Sequence, residues 1–262
     1  MSIPQFFSQL SCGAGTSLKT GERLTVQVCA EVIDHMRVSR LSAGERFILI
    51  NEPGHGWELE LLAQPEKKSG ALDVVVIKEL SKTRQHEINL FLAVSCAERM
   101  DLSIRQATEL GVTKIVPVVS ERCNIRLNDT LRHNKHSRWQ RIARAAAEQS
   151  CQLFEPIVLS PLSLEDALSS VNDKIFFAWE EERDYLLLQA ILDNFQSSDG
   201  YPKCTLVIGP EGGFSATEAK MAMACGAIKV SLGDTILRCE TASTVAIALV
   251  TQTLKMLYGT NF

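Results

Sequence analysis

The sequence predicts an α/β fold with a parallel sheet, preceded by a small β-rich domain. From about residue 83 onwards, short apolar runs alternate with helical patterns, which is typical of βα units and a parallel sheet. Before that point, short runs that alternate apolar and polar residues are separated by glycine-containing turns, which favours a small β-barrel. We therefore expect two domains, over residues 1–75 and 76–262.

The first domain is expected to consist of short strands. Residues 57–61 alternate apolar and charged side chains, as a strand with one buried face does. Proline and glycine within 51–56 and 67–70 indicate turns. Strands are predicted at 24–28, 46–50, 57–61 and 73–79.

The second domain is expected to alternate strands and helices. Residues 90–94 form a continuous apolar run, as in a strand buried on both faces, and Gly111 is placed to end the helix that follows it. The last helix is apolar on more than one face, so we expect it to be buried beyond a single core contact. Strands are predicted at 90–94, 112–119, 174–179, 204–208 and 228–232, and helices at 99–110, 139–150, 184–195, 215–225 and 241–257.

Two glycine-bearing turns near the C-terminus locate the candidate site. Residues 209–213 (Gly-Pro-Glu-Gly-Gly) follow an apolar strand directly, and Gly233 follows the next strand. Glycine permits positive φ and close approach of a ligand to the backbone. We expect the two turns to lie side by side at the carboxyl ends of parallel strands, where α/β folds bind ligands. Ser215 and Glu218 predict a capping box just beyond the first turn. A purely structural turn is the alternative for 209–213.

The composition excludes several classes of protein. Of the 262 residues, 45% are hydrophobic and 22% charged, as in ordinary globular proteins. The longest strongly apolar stretch, around residues 245–250, is too short to span a bilayer, and the N-terminus lacks a signal-peptide pattern. The eight cysteines form no C-x-x-C pair, so we expect neither a metal site nor disulfides, and a cytoplasmic location.

Charge is distributed unevenly along the chain. The formal net charge of −4 argues against a general nucleic-acid binder. A local basic stripe nevertheless predicts contact with a polyanion at one place, with a solvated helix face as the alternative. The stripe consists of Arg122, Arg126, Arg132, His133, Lys135, His136, Arg138, Arg141 and Arg144.

Motifs along nearly the whole chain resemble those of one enzyme family. They are Asp34-His35-Met36-Arg37-Val38-Ser39-Arg40, Arg99-Met100-Asp101, Thr108-Glu109-Leu110-Gly111-Val112, Ser120-Glu121-Arg122-Cys123, Ala147-Glu148-Gln149-Ser150, residues 208–215, and Leu232-Gly233 through Leu237-Arg238 to Glu240-Thr241-Ala242. Each motif alone is weak, but together and in this order they resemble the RsmE family of SPOUT enzymes. That family methylates the N3 of a uridine in small-subunit (16S) ribosomal RNA with S-adenosylmethionine.

The resemblance implies a fold, a cofactor and partners. It implies a PUA-like RNA-binding β-barrel, then a SPOUT domain with a C-terminal trefoil knot, which local sequence patterns would not predict. It also implies a homodimer that acts on ribosomal RNA or the small ribosomal subunit, without a membrane. The cofactor S-adenosyl-L-methionine would be held by Ala178, Trp179, Glu180, Ile208, Gly209, Pro210, Glu211, Gly212, Gly213, Leu232, Gly233, Ile236 and Leu237.

Methylation of the uridine N3 requires removal of the imide proton and an in-line approach to the methyl group. Arg238 is predicted to stabilise the developing uridine anion or to orient the RNA, and Glu211 or Glu240 to take the proton, directly or through water. The alternatives are an interface ion pair for Arg238 and helix N-terminal charge stabilisation for Glu240. Cys239 is not expected to be a nucleophile. The predicted RNA contacts are His35, Arg37, Arg40, Arg122, Arg138 and Arg141.

The chain departs from the family pattern at positions that are usually basic. These positions are Cys96, Gln106, Gln152, Phe154 and Thr235. Each lost cation removes a potential phosphate contact. Two alternatives to the leading hypothesis follow: a dimeric RNA-binding protein without catalysis, and a SPOUT methyltransferase that acts on a different RNA.

Overall fold

The chain divides into two compact units. The structure is a computed structural model that describes residues 3–8, 18–65, 70–123, 129–196 and 200–259. The first unit comprises Met1–Arg84 with Ala147–Glu155, and the second comprises Gln85–Ala146 with Pro156–Phe262. Most of the predicted turn at 67–70, together with Arg126 and the side chains of Arg132 and His133, lies outside the described residues.

The first unit is built on a five-stranded sheet. Its elements are β1 (Gln5–Phe7), β2 (Arg23–Gln27), α1 (Ala30–Val38), β3 (Arg46–Glu52), β4 (His55–Leu61) and β5 (Ala71–Ser81). The strand order is β1-β3-β4-β5-β2, in which β1 pairs parallel with β3 and the other pairs are antiparallel. The four predicted strands are therefore present.

Two features of the first unit differ from the prediction. Residues 34–38, predicted as part of a barrel, lie on helix α1, which buries Val32, Ile33 and Met36 on one face. This helix is short and has no side-chain N-cap, so its sequence signal is weak. Strand β5 continues through residues 75 and 76, where the sequence placed the domain boundary, because its pairing with β4 extends to Ser81.

The second unit is an α/β domain with a wholly parallel sheet, as predicted. Its elements are β6 (Glu87–Ala93), α2 (Ala97–Glu109), β7 (Lys114–Val119), α3 (Asp129–Gln149), β8 (Ile157–Val158), β9 (Leu162–Ser163), α4 (Leu164–Ser169), β10 (Lys174–Ala178), α5 (Leu187–Asn194), β11 (Lys203–Ile208), α6 (Ala216–Ala224), β12 (Ile228–Val230) and α7 (Cys239–Tyr258). The strand order is β12-β10-β11-β6-β7-β8, and β9 also pairs with β7. Helix α3 begins at Asp129, well before the predicted start at residue 139; the prediction missed this part because the polar first half of the helix lacks apolar periodicity.

Helices cover both faces of this sheet. On β6, Ile88, Leu90 and Leu92 pack with α2, α5 and α7, whereas Phe91 and Ala93 pack with α4 and α6. This division explains the continuous apolar run at 90–94, because successive side chains point to opposite faces that are both buried. Within the described part of the chain, no helix is long and apolar enough to cross a membrane.

The strand order corrects the predicted arrangement of the two turns. Strand β10 lies between β11 and β12, so the turns after β11 and β12 flank β10 rather than lying side by side. Sequence order could not show this, because β10 precedes both strands in the chain and is inserted between them. The residues that follow β10 consequently occupy the space between the two turns.

Candidate functional site

A cleft of about 320 Å³ lies at the carboxyl ends of β10, β11 and β12. Parallel sheets expose loops and helix N-termini at this edge, which is where they bind ligands. Three segments line the cleft: 178–183 without Glu181, 208–214 without Gly212, and 230–239, joined by Arg99 and Ala242. All of the predicted cofactor-binding residues except Gly212 therefore line one cavity.

The first turn, residues 209–213, is stabilised by one hydrogen bond within it and by hydrogen bonds to Glu218, which lies just after it. The Gly213 amide donates to the Pro210 carbonyl at 2.9 Å, and Gly213 has a φ of +68°. The predicted capping box is confirmed: Ser215 Oγ accepts from the Glu218 amide at 3.2 Å, and Glu218 Oε2 accepts from the Ser215 amide at 2.9 Å. Glu218 Oε1 also accepts from the amide of Glu121 at 2.8 Å, which ties the turn to the loop after β7.

The second turn follows β12 and is more exposed. Ser231 Oγ bonds to the carbonyl of Gly233 at 3.2 Å and accepts from its amide at 3.3 Å. Gly233 has a φ of +125°, a backbone conformation that favours glycine. Ile236 lines the cleft and is 78% exposed, which is unusual for an isoleucine.

The segment after β10 completes the cleft between the two turns. The Trp179 amide donates to the Val230 carbonyl at 3.2 Å, and Lys229 Nζ lies 5.2 Å from the centroid of the Trp179 ring. The buried indole Nε1 of Trp179 has no acceptor among the described residues. The carboxylate of Glu180 lies where a side chain on Gly213 would project.

Ion pairs and helix position distinguish the predicted catalytic residues. Glu211 lines the cleft and accepts a hydrogen bond from Arg99 Nη1 at 2.5 Å. Arg238 lines the cleft, is exposed and occupies the N-cap position of α7. Glu240 lies in the first turn of α7 but does not line the cleft. Arg238 and Glu211 thus line the same cleft, whereas Glu240, two residues after Arg238, does not.

The environment of Glu240 and Cys239 sets their protonation. Burial acts to raise the pKa of Glu240, but hydrogen bonds from its own amide and from Cys239, with the charges of Arg99 and Arg238, hold that pKa below its usual range. Burial raises the pKa of the Cys239 thiol to about 12, with further contributions from its hydrogen bond to Glu240. Glu240 is therefore an ionised, weak base, and Cys239 remains a protonated thiol without nucleophilic character.

Sequence reasoning missed several residues that line the cleft. Arg99 belongs to a quoted motif but received no role, because its contact with Glu211 joins residues 112 positions apart. Nothing local in the sequence marks Glu182, Arg183, Val230 and Ser231, which reach the cleft through the strand order. Phe214, Asp234, Thr235, Cys239 and Ala242 also line the cleft; they lie within the quoted motifs, but no role in the site was predicted for them.

The predicted RNA-contacting residues of the second unit differ in their partners. Arg122 Nη1 donates to the carbonyl of Gly212 at 2.9 Å. Arg138 forms an ion pair with Asp101. Arg141 is exposed and donates from Nε to the Ser137 carbonyl at 3.4 Å, which leaves the charge of its guanidinium without an acidic partner among the described residues.

The predicted RNA-contacting residues of the first unit lie on α1 or just after it. His35 has a half-exposed side chain whose Nδ1 lies 3.5 Å from Glu148 Oε2, and its ring packs edge-on against Phe6 with centroids 5.2 Å apart. Arg37 and Arg40 are exposed, and Arg40 has a φ of +55°. His35 is therefore partly engaged in packing within its own unit, whereas the two arginines face solvent.

Comparison with known proteins identifies related sequences and folds. A sequence model of the RNA methyltransferase domain matches residues 82–251. Ribosomal RNA small subunit methyltransferase E of Rickettsia conorii is 32% identical over 81% of this chain and 83% of its own length, and that of Bacillus subtilis is 27% identical over 93% and 96%. The crystal structure of the Neisseria gonorrhoeae methyltransferase E bound to S-adenosyl methionine is 27% identical, with a TM-score of 0.77 over 98% of both chains.

Proposed function

We propose that this chain methylates small-subunit ribosomal RNA with S-adenosylmethionine. The chain belongs to the RNA methyltransferase family and, within it, to the small-subunit ribosomal RNA methyltransferases E, which supports the proposal. The acceptor that the family resemblance implies is the N3 of a uridine. The observation that carries the proposal is the cleft itself, because residues of both glycine turns and of the segment between them line one cavity at the carboxyl ends of the strands.

The residues of the cleft fit S-adenosylmethionine. Leu232, Ile236 and Leu237 provide apolar surface of the kind that adenine requires, and the two turns provide backbone polar groups. The buried, unpaired indole N–H of Trp179 is a donor that a ligand could satisfy. Four carboxylates line the cleft, those of Glu180, Glu182, Glu211 and Asp234. Glu182 and Glu211 are ion-paired with Lys229 and Arg99, so Glu180 and Asp234 are the ones that would complement a positively charged sulfonium group. The Neisseria relative was solved with this cofactor bound.

The cofactor supplies an electrophilic methyl group, and the protein must orient the uracil and stabilise its charge. Arg238 is the cleft-lining arginine at the start of α7, and we assign it the stabilisation of the negative charge that develops on the uracil. Its guanidinium has no acidic partner within 4 Å among the described residues, in contrast to that of Arg99, which is paired with Glu211.

Glu211 is the better placed of the two candidate proton acceptors. Its carboxylate lines the cleft, whereas Glu240 contributes nothing to the lining. Glu240 is also a weak base, because hydrogen bonds and the charges of Arg99 and Arg238 hold its pKa below the usual range. Since Arg99 already occupies one oxygen of Glu211, the proton would leave through the second oxygen or through a water molecule.

The exposed arginines of α3 and α1 are proposed as RNA contacts. Removing the charge of Arg141 should weaken RNA binding and reduce the salt dependence of the association constant by about one unit of log–log slope, because one phosphate contact is lost. Arg138→Ala should have a smaller effect, because Asp101 already neutralises Arg138. Filter-binding titrations on small-subunit RNA at several salt concentrations measure both slopes. Equal slopes for wild type and Arg141→Ala would remove Arg141 from the interface.

Two of the five positions that depart from the family pattern, Phe154 and Gln106, have side-chain contacts of their own. The Phe154 ring lies 4.4 Å from the Arg84 guanidinium carbon, and Gln106 Oε1 accepts from Thr244 Oγ1 at 3.0 Å. These contacts explain Phe154 and Gln106 without implying the loss of catalysis, and every predicted cofactor-binding residue except Gly212 lines the cleft. A binding protein without catalysis is therefore the less favoured function.

We propose a homodimer that uses the outer face of α7. The residues of this face are uncharged and not fully covered by their own subunit, and Lys255 lies at its edge; they are Thr241, Val245, Ala248, Gln252 and Met256. The exposed Ile236 in the turn before α7 adds apolar surface. An uncharged helix face of this kind suits contact with a second copy.

A charge on this face should prevent dimer formation. Val245→Asp is the suitable change, because Leu249 and Leu257 pack against the core of their own subunit and a charge there would also lower stability. Light scattering at micromolar concentration should show a wild-type dimer and a Val245→Asp monomer. Leu192→Asp, which places the same charge at an exposed leucine of α5, should remain dimeric. A monomeric wild type would contradict the proposal.

The family resemblance also suggests the type of each domain and the location of the protein. We propose that the first unit is a PUA-like RNA-binding barrel, that the C-terminal segment of the second unit forms a trefoil knot, and that the protein works in the cytoplasm. The five-stranded sheet of the first unit supports the first assignment, and the other two rest on the family alone.

Transfer of a labelled methyl group tests the proposed reaction directly. Purified protein, incubated with methyl-labelled S-adenosylmethionine and ribosomal subunits that lack the modification, should label small-subunit RNA, and large-subunit RNA is the matched control. Label in neither RNA, from protein that binds the cofactor, would favour a binding protein. Label in another RNA class would indicate a different substrate.

A further inference from the structure

Two arginines from neighbouring strand ends contact consecutive residues of the first glycine turn. Arg99, in the first turns of α2 after β6, donates to Glu211 Oε1 at 2.5 Å. Arg122, in the loop after β7, donates to the Gly212 carbonyl at 2.9 Å. We propose that Arg99 and Arg122 form a clamp that positions this turn for the methyl donor. The inference rests on the proposed function, and it gives Arg122 a role other than RNA contact.

The contact of Arg122 extends along its whole side chain. A Cβ built on Gly212 would lie 3.4 Å from Arg122 Cβ and 3.7 Å from its Cδ, so the aliphatic part of the arginine packs directly over the glycine. Its guanidinium then satisfies a carbonyl that the turn itself does not use, because the turn's own bond joins Gly213 to Pro210. Gly212 does not line the cleft, so this contact holds the turn from the side away from the ligand.

The loop that carries Arg122 is itself fixed to the far end of the turn. The Glu121 amide donates to Glu218 Oε1, and the same carboxylate caps α6 through Ser215. The Ser120 hydroxyl lies 3.3 Å from Cys123 Sγ, and the Ser120 amide donates to the same sulfur at 3.4 Å, which closes the loop. The loop is therefore joined to the turn at Gly212 and to the start of α6 at Glu218, which restricts the movement of the backbone that carries Arg122.

Arg99, the second arginine of the clamp, lines the cleft and contacts the turn through Glu211. Its side chain is 36% exposed and that of Glu211 is 30% exposed, so the pair contributes little to the stability of the fold. Its effect should therefore fall on the position of Glu211 and on ligand affinity. Misplacement of a binding group by about 1 Å can cost on the order of a hundredfold in rate, so a loosened turn has a measurable consequence.

Calorimetry with S-adenosylmethionine, without RNA, tests the clamp apart from any RNA contact. Arg99→Ala and Arg122→Ala should each raise the dissociation constant by about tenfold, as expected for loss of a hydrogen bond that involves a charged group. The unfolding midpoints without ligand should stay near that of wild type. Arg105→Ala, an exposed arginine of α2 outside the cleft, is the matched control and should bind like wild type.

Two further measurements separate positioning from other roles. Arg99→Ala combined with Glu211→Ala should bind no more weakly than the weaker single variant, because both remove the same contact. In methyl-transfer assays the KM for the cofactor should rise in both arginine variants, and kcat at saturation should also fall in Arg99→Ala, because its partner Glu211 is the proposed proton acceptor. Arg122→Lys, which can still donate to the carbonyl, should recover part of the affinity.

The outcomes are distinguishable from failure of the proposed function. Wild-type affinity in both Arg99→Ala and Arg122→Ala would overturn the clamp. An Arg122→Ala variant that changed only the salt dependence of RNA binding would show a phosphate contact instead and would also overturn it. If the wild type bound the cofactor but labelled no small-subunit RNA, the substrate assignment would fail while the calorimetric result for the clamp stood. A wild type that bound no cofactor would overturn both proposals.

Discussion

Replacing Arg238 by alanine is expected to lower the rate of methyl transfer by a hundredfold or more, with little change in cofactor affinity. The reason is that its guanidinium, exposed at the cleft and without an acidic partner among the described residues, is available to stabilise the negative charge on the uracil. Loss of one preorganised donor of this kind typically costs on the order of a hundredfold or more in rate. Single-turnover kinetics on assembled small subunits, with calorimetry for the cofactor, measure both quantities.

Two comparisons define what Arg238 does. Arg238→Lys keeps the charge but loses the planar pair of donors, so it should recover only part of the rate. If Arg238→Ala kept its single-turnover rate at saturating RNA and lost only RNA affinity, Arg238 would be a phosphate contact and the catalytic assignment would be wrong. If Arg238 instead forms an ion pair across the dimer interface, light scattering should show that Arg238→Ala no longer forms the dimer.

Valine at Gly213 or Gly233 is expected to abolish measurable cofactor binding. These glycines have φ values of +68° and +125°, where a β-branched residue is strongly disfavoured. At Gly213, the new side chain would also meet the carboxylate of Glu180, which lines the cleft. The turns would have to change conformation, and the backbone groups proposed to hold the cofactor would move with them. Calorimetry on folded variants, checked by circular dichroism, gives the result.

The neighbouring glycine provides the control for this prediction. Gly212 has no positive φ, and a Cβ there would be in ordinary contact with Arg122. Gly212→Ala should therefore bind the cofactor within a few-fold of wild type. If Gly213→Val and Gly233→Val folded and bound like wild type, the cleft would not be the cofactor site.

Features that depend on nearby residues could be predicted from the sequence. The capping box of Ser215 and Glu218 is a four-residue pattern, and it forms as predicted. The strand that enters residues 209–213 was recognisable from its apolar run, because burial on both faces of a parallel sheet requires one. The last helix was expected to be buried on more than one face, and it packs against α2, α5 and the sheet.

Features that depend on the order of strands could not be predicted. The insertion of β10 between β11 and β12 brings Trp179 and Glu180 between the two turns, and only the family resemblance suggested that they belong to the site. The contacts of Arg99 and Arg122 with the first turn join residues 112 and 90 positions apart, so no local pattern marks them. That residues 147–155 belong to the first unit could not be predicted either, because they are far in sequence from the rest of that unit.

Mass spectrometry of nucleosides from small-subunit ribosomal RNA tests the central claim most directly. In a strain that lacks this gene, one N3-methyluridine should disappear from small-subunit RNA. Expression of the wild-type chain should restore it, and expression of Arg238→Ala at the same level should not. An unchanged content of N3-methyluridine in the strain without the gene would contradict the account.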